Sequence, residues 1–281
     1  MIQDQTSRLT RVLVRQPDPD DLVHWAGYGW RSEPDAGEAS TEHETFRRLL
    51  ADAGAEVIVG KADVQDDPDA IYAYDPTLLT DEGAILLRPG KEGRRDEPIK
   101  MAEDLMAAGV QIRARIDEPG TAEGGDMFWL DDRTLLVGCG YRTNEEGIRQ
   151  LRSILEGSAD VVSFDLPYLN GPAECVHLMS FISPLASNLA VAYLPMMPVR
   201  LVELLLDRGI ELIEVPAEEF GSMGPNVLAL APRVALALEG NPRTKARMEA
   251  AGVEVRTYVG EEISRKGGGG PTCLTKPLAR G

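Results

Sequence analysis

The chain closes on the stretch Gly267-Gly-Gly-Gly-Pro-Thr-Cys273-Leu-Thr-Lys-Pro-Leu278. Glycines let a backbone take positive φ and approach a ligand closely, and Pro271 stiffens the approach to the cysteine. A cysteine presented by such a loop is a candidate nucleophile if its setting is electropositive and accessible. The competing reading is a structural thiol, and Cys175, inside Ala-Glu-Cys-Val-His-Leu-Met, has the apolar context expected of one. A nucleophilic cysteine needs a proton-transfer partner, and the chain holds 3 histidines. His24 lies in a loop-like segment with Trp25 and Trp30. His43 falls in the solvated first turn of an expected helix and reads as surface. His177 precedes an apolar run and reads as a strand residue facing a core or a cavity. Glu123 and Asp126 bracket two glycines ahead of a strand, and Asp75 stands before another apolar run. Arg94 belongs to the charged loop Leu-Leu-Arg88-Pro-Gly-Lys-Glu-Gly-Arg94-Arg95, and Arg142 stands just before a helix. Taken singly, each is what a solvated loop carries. Together they pair acids that hold a cation with arginines that hold a carboxylate, bidentately where geometry permits. An amino acid with a basic side chain carries both groups.

Composition narrows the partners. With 281 residues and 43% of them hydrophobic, the chain can bury a large core without disulfides. The formal charge of −17 repels a phosphate backbone, so nucleic acid is not an expected partner. The 3 cysteines do not make a disulfide framework. Cys175 and His177 could share one strand face as two metal ligands, but two ligands without further partners are a weak zinc pattern, and no metal is expected. No basic leader precedes an apolar run, and no apolar stretch has membrane-spanning length, so the expectation is a cytoplasmic protein without a membrane partner.

The elements that must position these residues repeat. Five times a helical pattern ends at a glycine and a β-rich run follows: Gly54, Gly109, Gly157, Gly209 and Gly252. Each glycine suits the left-handed position beyond a helix C-terminus. The first helix reads from Thr41, with Phe46, Leu49, Leu50 and Ala53 on one face. Thr143-x-x-Glu146 reads as a capping box, and Asn241-Pro242 as a cap and first-turn proline. Val227–Leu238 reads as a hairpin turning at Pro232-Arg233. The glycines recur at irregular intervals of roughly 50 residues, too uneven for a solenoid. Five ββαβ-type modules fit, no linker divides residues 1–281, and a doubly wound sheet is the alternative that periodicity leaves open.

These motifs, in this order, resemble the guanidine-modifying superfamily of arginine deiminases, dimethylarginine dimethylaminohydrolases, arginine dihydrolases and amidinotransferases. The resemblance is carried by Ala-Glu123-Gly-Gly-Asp126, Gly-Tyr-Arg142-Thr, Arg88-Pro-Gly with Arg94-Arg95, Val-His177-Leu, Gly-Pro-Asn226-Val and the Cys273 loop, across most of the chain. It implies a single catalytic α/β domain, a five-bladed α/β propeller with pseudo-fivefold symmetry. It further implies Cys273 as nucleophile, His177 as general acid and base, and Glu123 as catalytic carboxylate. Asp75 would bind the guanidinium, Arg94 and Arg142 the substrate carboxylate, and Asp126 would support the loop from behind. No cofactor is implied. The partner is a small guanidino compound, and a homodimer is among the expectations for this superfamily.

The chain is too short for the helical insertion of arginine deiminases, and Leu178-Met179 follows the histidine where they often have Leu-Asp. Asp75 stands where dihydrolases carry asparagine, whereas Thr275 and Pro277 resemble the deiminase loop. The expected activity is therefore a hydrolase of the guanidino C–N bond. The alternatives are an amidinotransferase and, more remotely, a non-catalytic ribosome-associated propeller. Lys276 has no expected role, and His24, Trp25 and Trp30 are candidates for a segment covering the substrate.

Overall fold

The computed structural model describes residues 3–172, 174 and 176–281. Its strands are β1 (Leu9–Val14), β2 (Glu56–Val59), β3 (Thr77–Thr80), β4 (Gly83–Leu86), β5 (Ile112–Arg115), β6 (Met127–Asp131), β7 (Thr134–Cys139) and β8 (Asp160–Asp165). They continue with β9 (Ile182–Ala186), β10 (Leu189–Ala192), β11 (Glu211–Glu214), β12 (Val227–Ala231), β13 (Val234–Leu238), β14 (Glu254–Tyr258) and β15 (Lys276–Arg280). Five main helices alternate with them: α1 (Ala36–Asp52), α2 (Glu97–Ala107), α3 (Glu145–Ile154), α4 (Val199–Asp207) and α5 (Pro242–Ala250).

The strands form five three-stranded sheets among the described residues: β15-β1-β2, β3-β4-β5, β6-β7-β8, β9-β10-β11 and β12-β13-β14. Within each, the first pair is antiparallel and the second parallel. The parallel step needs a long crossover, and the helix supplies it. The glycines expected after the helices all take positive φ, from 72° at Gly209 to 96° at Gly54, and each leads into the third strand of its sheet.

The sheets are blades of a closed ring. The first strand of each blade is buried on both faces, while the third is partly exposed. Each apolar cluster lies between two neighbouring blades. Leu13 and Leu79 join the first to the second, Ile85 and Leu135 the second to the third, and Phe128 and Ile182 the third to the fourth. Leu185 and Val227 join the fourth to the fifth, and Leu228 and Val12 bring the fifth back to the first. Chain closure is completed within the first blade, where C-terminal β15 pairs antiparallel with N-terminal β1. The architecture is the expected five-bladed α/β propeller.

Three local expectations are corrected. The helix α1 starts at Ala36, not Thr41, because Asp35 caps it by accepting from the Glu38 amide at 2.9 Å. His43 is thereby carried off the surface into the stripe Ala39, His43, Phe46 and Leu50, where it is 1% exposed. The cap of α3 is Asn144, which accepts from Gly147 N, whereas Thr143 Oγ1 accepts from the Glu123 amide. Asn241 makes no capping bond with its side chain. Glu219 accepts from the amides of Arg243 and Thr244 instead.

The burial of His43 has a measurable consequence. Its Nε2 has no hydrogen-bond partner among the described residues, and burial, with Arg47 nearby, lowers its pKa from 6.5 to about 4. A depressed histidine contributes stability above its unfolded pKa, and loses it as pH falls toward the folded value. Urea unfolding should therefore show stability dropping by about 2–3 kcal/mol more between pH 6.5 and 4 than in His43→Leu. Parallel curves for the two proteins would refute the assignment.

Candidate active site

Each blade delivers one side chain from the segment just before its inner strand. Asp75 precedes β3, Glu123 precedes β6, His177 precedes β9, Asn226 precedes β12 and Cys273 precedes β15. Four of these are the expected residues. Asn226 is the one that sequence reasoning missed, although its position ahead of Val-Leu-Ala-Leu-Ala is the signal that could have found it.

Asp75, Glu123 and His177 are buried, and each offers a ligating atom within 4.8 Å of the others. His177 Nε2 lies 2.6 Å from Glu123 Oε2. Rather than sitting in a strand as expected, His177 caps a 3-10 turn over Leu178–Ser180, its amide donating to Ser180 Oγ. Glu123 Oε1 accepts the amides of Gly90 at 2.9 Å and Lys91 at 3.3 Å. Asp75 Oδ1 accepts the Gly125 amide at 2.9 Å, and its carbonyl accepts from Gly124. The glycine pair is required by space. A Cβ on Gly124 would lie 2.2 Å from Tyr74 O, and one on Gly125 would lie 2.4 Å from His177 Nδ1.

Both carboxylates are held ionised. Burial alone would raise their pKa values. For Glu123 this is outweighed by the hydrogen bond and charge of His177, then by Arg142 and Arg94, and the group is held well below the usual range. For Asp75, His177 and Arg94 likewise outweigh burial, and the net shift is downward. Asp126 differs. Burial pushes it up to about 7 against the opposing charge of His177, and its Oδ1 accepts from Leu178 N at 3.0 Å. Through that bond it braces the turn that carries His177.

The geometry alters the picture for Arg94. It is 2% exposed. Its Nε and Nη2 donate to Glu97, Nη2 also reaches Tyr72 O, and Nη1 donates to Asp75 Oδ2 at 2.7 Å. Among the described residues these bonds engage four of the five guanidinium N–H groups. Arg94 can therefore offer a substrate carboxylate at most a single bond, and its main contacts hold Asp75 and Glu97. Arg142 Nη1 lies 3.4 Å from both Glu123 oxygens and is also buried.

Cys273 is half-buried, and neither Cys139 nor Cys273 forms a disulfide among the described residues. Asn226 Nδ2 donates to Cys273 Sγ at 3.2 Å. The glycine run is explained by packing more than by access to a ligand. A Cβ on Gly267 would lie 1.9 Å from Tyr72 Oη, one on Gly269 2.3 Å from the Tyr72 ring, and one on Gly270 2.5 Å from the Asn226 amide. Only Gly268 takes positive φ there, at 84°. Lys276, which had no expected role, ties β15 to the segment carrying Asp75. Its Nζ donates to Tyr74 O and to Thr77 O and sits 4.5 Å over the Tyr74 ring. Burial lowers it to about 7.

The segment with two tryptophans crosses the rim between the Arg94 loop and the glycine run. Trp30 Nε1 donates to Asp69 at 2.8 Å, Tyr28 Oη to Gly93 O, and the Arg31 amide to Lys266 O. Lys91 Nζ locks it by donating to Tyr28 O at 2.6 Å and to Asp69 Oδ2 at 2.5 Å. Trp25 packs on the cluster that includes Cys273. His24 Nε2 lies 3.0 Å from Asp66 Oδ1, with both side chains exposed.

The cluster of Asp75, Glu123 and His177 has the spacing of a metal site, but Arg94 and Arg142 already face its carboxylates. Cys175, the other half of the weak metal pair weighed with His177, lies outside the described residues. The lone pairs left on the two acids suit a planar organic cation, which can donate hydrogen bonds in several directions.

Comparisons with known proteins bear on the family. A family model described as N,N dimethylarginine dimethylhydrolase, eukaryotic, matches residues 29–280. The N(G),N(G)-dimethylarginine dimethylaminohydrolase of Pseudomonas aeruginosa is 30% identical over 267 residues, covering 94% of this chain and 97% of that one. An arginine deiminase of Rhodococcus erythropolis is 26% identical over 302 residues, covering 92% of this chain and 73% of its own. A structure of the Pseudomonas aeruginosa enzyme, a cysteine-to-serine variant complexed with citrulline, superposes with a TM-score of 0.78 at 26% identity, over 95% of this chain and 98% of that one. The chain belongs to the dimethylarginine dimethylaminohydrolase family, within the guanidine-modifying superfamily.

Proposed function

We propose that the protein hydrolyses the guanidino C–N bond of arginine or an N-substituted arginine, releasing citrulline and ammonia or an alkylamine. The observation that carries this reading is the convergence of Asp75, Glu123 and His177 from three blades toward one small volume, with Cys273 offered from the corresponding position of a fourth. Two ionised carboxylates hold the planar guanidinium, so that its carbon is oriented toward sulfur, a gain that orientation alone makes large. The bound cation adds positive charge beside the thiol and favours the thiolate.

The thiolate attacks the guanidino carbon and forms a C–S bond. The C–N bond to the departing nitrogen breaks as His177, hydrogen-bonded to Glu123, passes a proton to it, and the amine leaves. His177, now without that proton, takes one from water. The resulting hydroxide attacks the thiouronium carbon, the C–S bond breaks, and a ureido product and the thiolate are released. Arg142 beside Glu123 is the cation best placed for the substrate carboxylate. Among the described residues no helix is long and apolar enough to cross a membrane.

The test is a substrate panel read by mass spectrometry: arginine, mono- and dimethylarginines, and shorter guanidino acids. Citrulline with methylamine or dimethylamine is expected, and citrulline with ammonia would select the deiminase branch of the same chemistry. Products that appear only when an amine acceptor is supplied would replace this reading with amidino transfer. No product from any member would refute the hydrolase.

A further inference from the structure

We infer that Asn226 holds the Cys273 sulfur and biases it toward the thiolate before substrate arrives. The inference rests on the reading of Cys273 as the nucleophile. Asn226 occupies in the fifth blade the place that Asp75, Glu123, His177 and Cys273 occupy in the others, immediately ahead of the inner strand. Its side chain is buried. Its orientation is settled by its neighbours. Oδ1 accepts the Thr272 amide at 3.2 Å, so Nδ2 is the atom that faces Cys273 Sγ, also at 3.2 Å. Thr272 Oγ1 in turn donates to Val227 O at 3.1 Å, joining the nucleophile loop to the strand that Asn226 begins. Gly270 is the residue that makes room for the amide.

A thiol sulfur is a weak acceptor and a thiolate a stronger one, so a donor fixed at sulfur favours the charged form. The surroundings explain why this donor is neutral. Tyr72, Tyr74 and Tyr258 pack around the loop and are raised by burial, so they carry no charge. Asp75 and Glu123 stand at the equivalent positions of the second and third blades with His177, Arg94 and Arg142 beside them, and Lys276 follows Cys273 on β15. Two ionised acids in the same site disfavour a second negative group at the sulfur before substrate binds. A lysine or arginine at position 226 would relieve that, but it would repel a guanidinium substrate. An amide stabilises the thiolate without competing for the substrate's charge.

The test measures the rate at which iodoacetamide alkylates Cys273 in substrate-free protein, from about pH 6 to 10, with the modified peptide identified by mass spectrometry. Asn226→Ala should move the midpoint of the profile up by about one pH unit, about tenfold less thiolate at neutral pH, while the plateau rate at high pH is kept. Asn226→Asp is isosteric and keeps the acceptor for Thr272, but it turns a carboxylate to the sulfur and should shift the midpoint further up. Circular dichroism verifies the fold, and the isosteric variant carries the test if the alanine variant does not fold. Midpoints unchanged or lowered in the folded variants would reduce Asn226 to a packing role. That outcome is separate from failure of the nucleophile reading, which would appear as retained turnover in a Cys273 variant.

Discussion

Replacing Cys273 by serine is expected to lower kcat by on the order of 10⁴-fold or more while leaving the fold intact. A serine hydroxyl fits the same space and can still receive the Asn226 amide, but it is not ionised near neutral pH and is a far weaker nucleophile toward a guanidinium carbon. Asp75, Glu123 and Arg142 remain in the variant, so substrate binding should persist and show as a ligand-dependent rise in Tm. Rapid quenching of the parent with substrate, followed by intact-mass measurement, should reveal an adduct on Cys273 that the serine variant lacks. A serine variant with parental turnover would remove the covalent scheme. Loss of both binding and turnover, with the fold intact, would show that the sulfur serves recognition instead.

Arg94→Met should destabilise the protein by about 3–5 kcal/mol, because it strands buried carboxylates without their cation. Arg94 joins Glu97 and Asp75 inside the second blade, and all three are at most 3% exposed. The pH dependence distinguishes this from a simple packing loss. In the parent, Arg94 is one of the charges that depress Asp75, so this contribution is present above the unfolded carboxylate pKa and lost as pH falls through the folded one. In the variant the stranded acids bind protons more readily, and the gap between parent and variant should narrow as pH falls from 8 toward 5. Urea unfolding at several pH values measures it. If Arg94 served only to grip the substrate carboxylate, KM would rise while stability stayed parental, and the two outcomes do not overlap. Arg94→Lys should fall between, since an ammonium cannot reproduce the fork that joins Glu97 and Asp75.

What the sequence by itself determined are the features encoded within a few residues. Left-handed glycines at the ends of helices are a local backbone matter, and all five were legible at Gly54, Gly109, Gly157, Gly209 and Gly252. The hairpin at Pro232-Arg233 was legible for the same reason, with Arg233 at φ 61°. Cys273, His177, Glu123 and Asp75 could be named because reactive residue types stood in ordered motifs. Tertiary structure decided what depends on distant partners. The pairing of β15 with β1 joins the two ends of the chain, and no local pattern in Lys276–Arg280 announces it. His43 looked exposed because the helix start was placed five residues late, which put it in a solvated first turn instead of inside the helix on the stripe it shares with Ala39, Phe46 and Leu50. Arg94 looked like a substrate ligand because a sequence does not show which carboxylates reach an arginine first. Asn226 stood in a recognised motif, Gly-Pro-Asn226-Val, without a role of its own. It acquires meaning only when five blades close into a ring and bring their equivalent positions to one centre, where four bear reactive groups and the fifth bears an amide directed at sulfur.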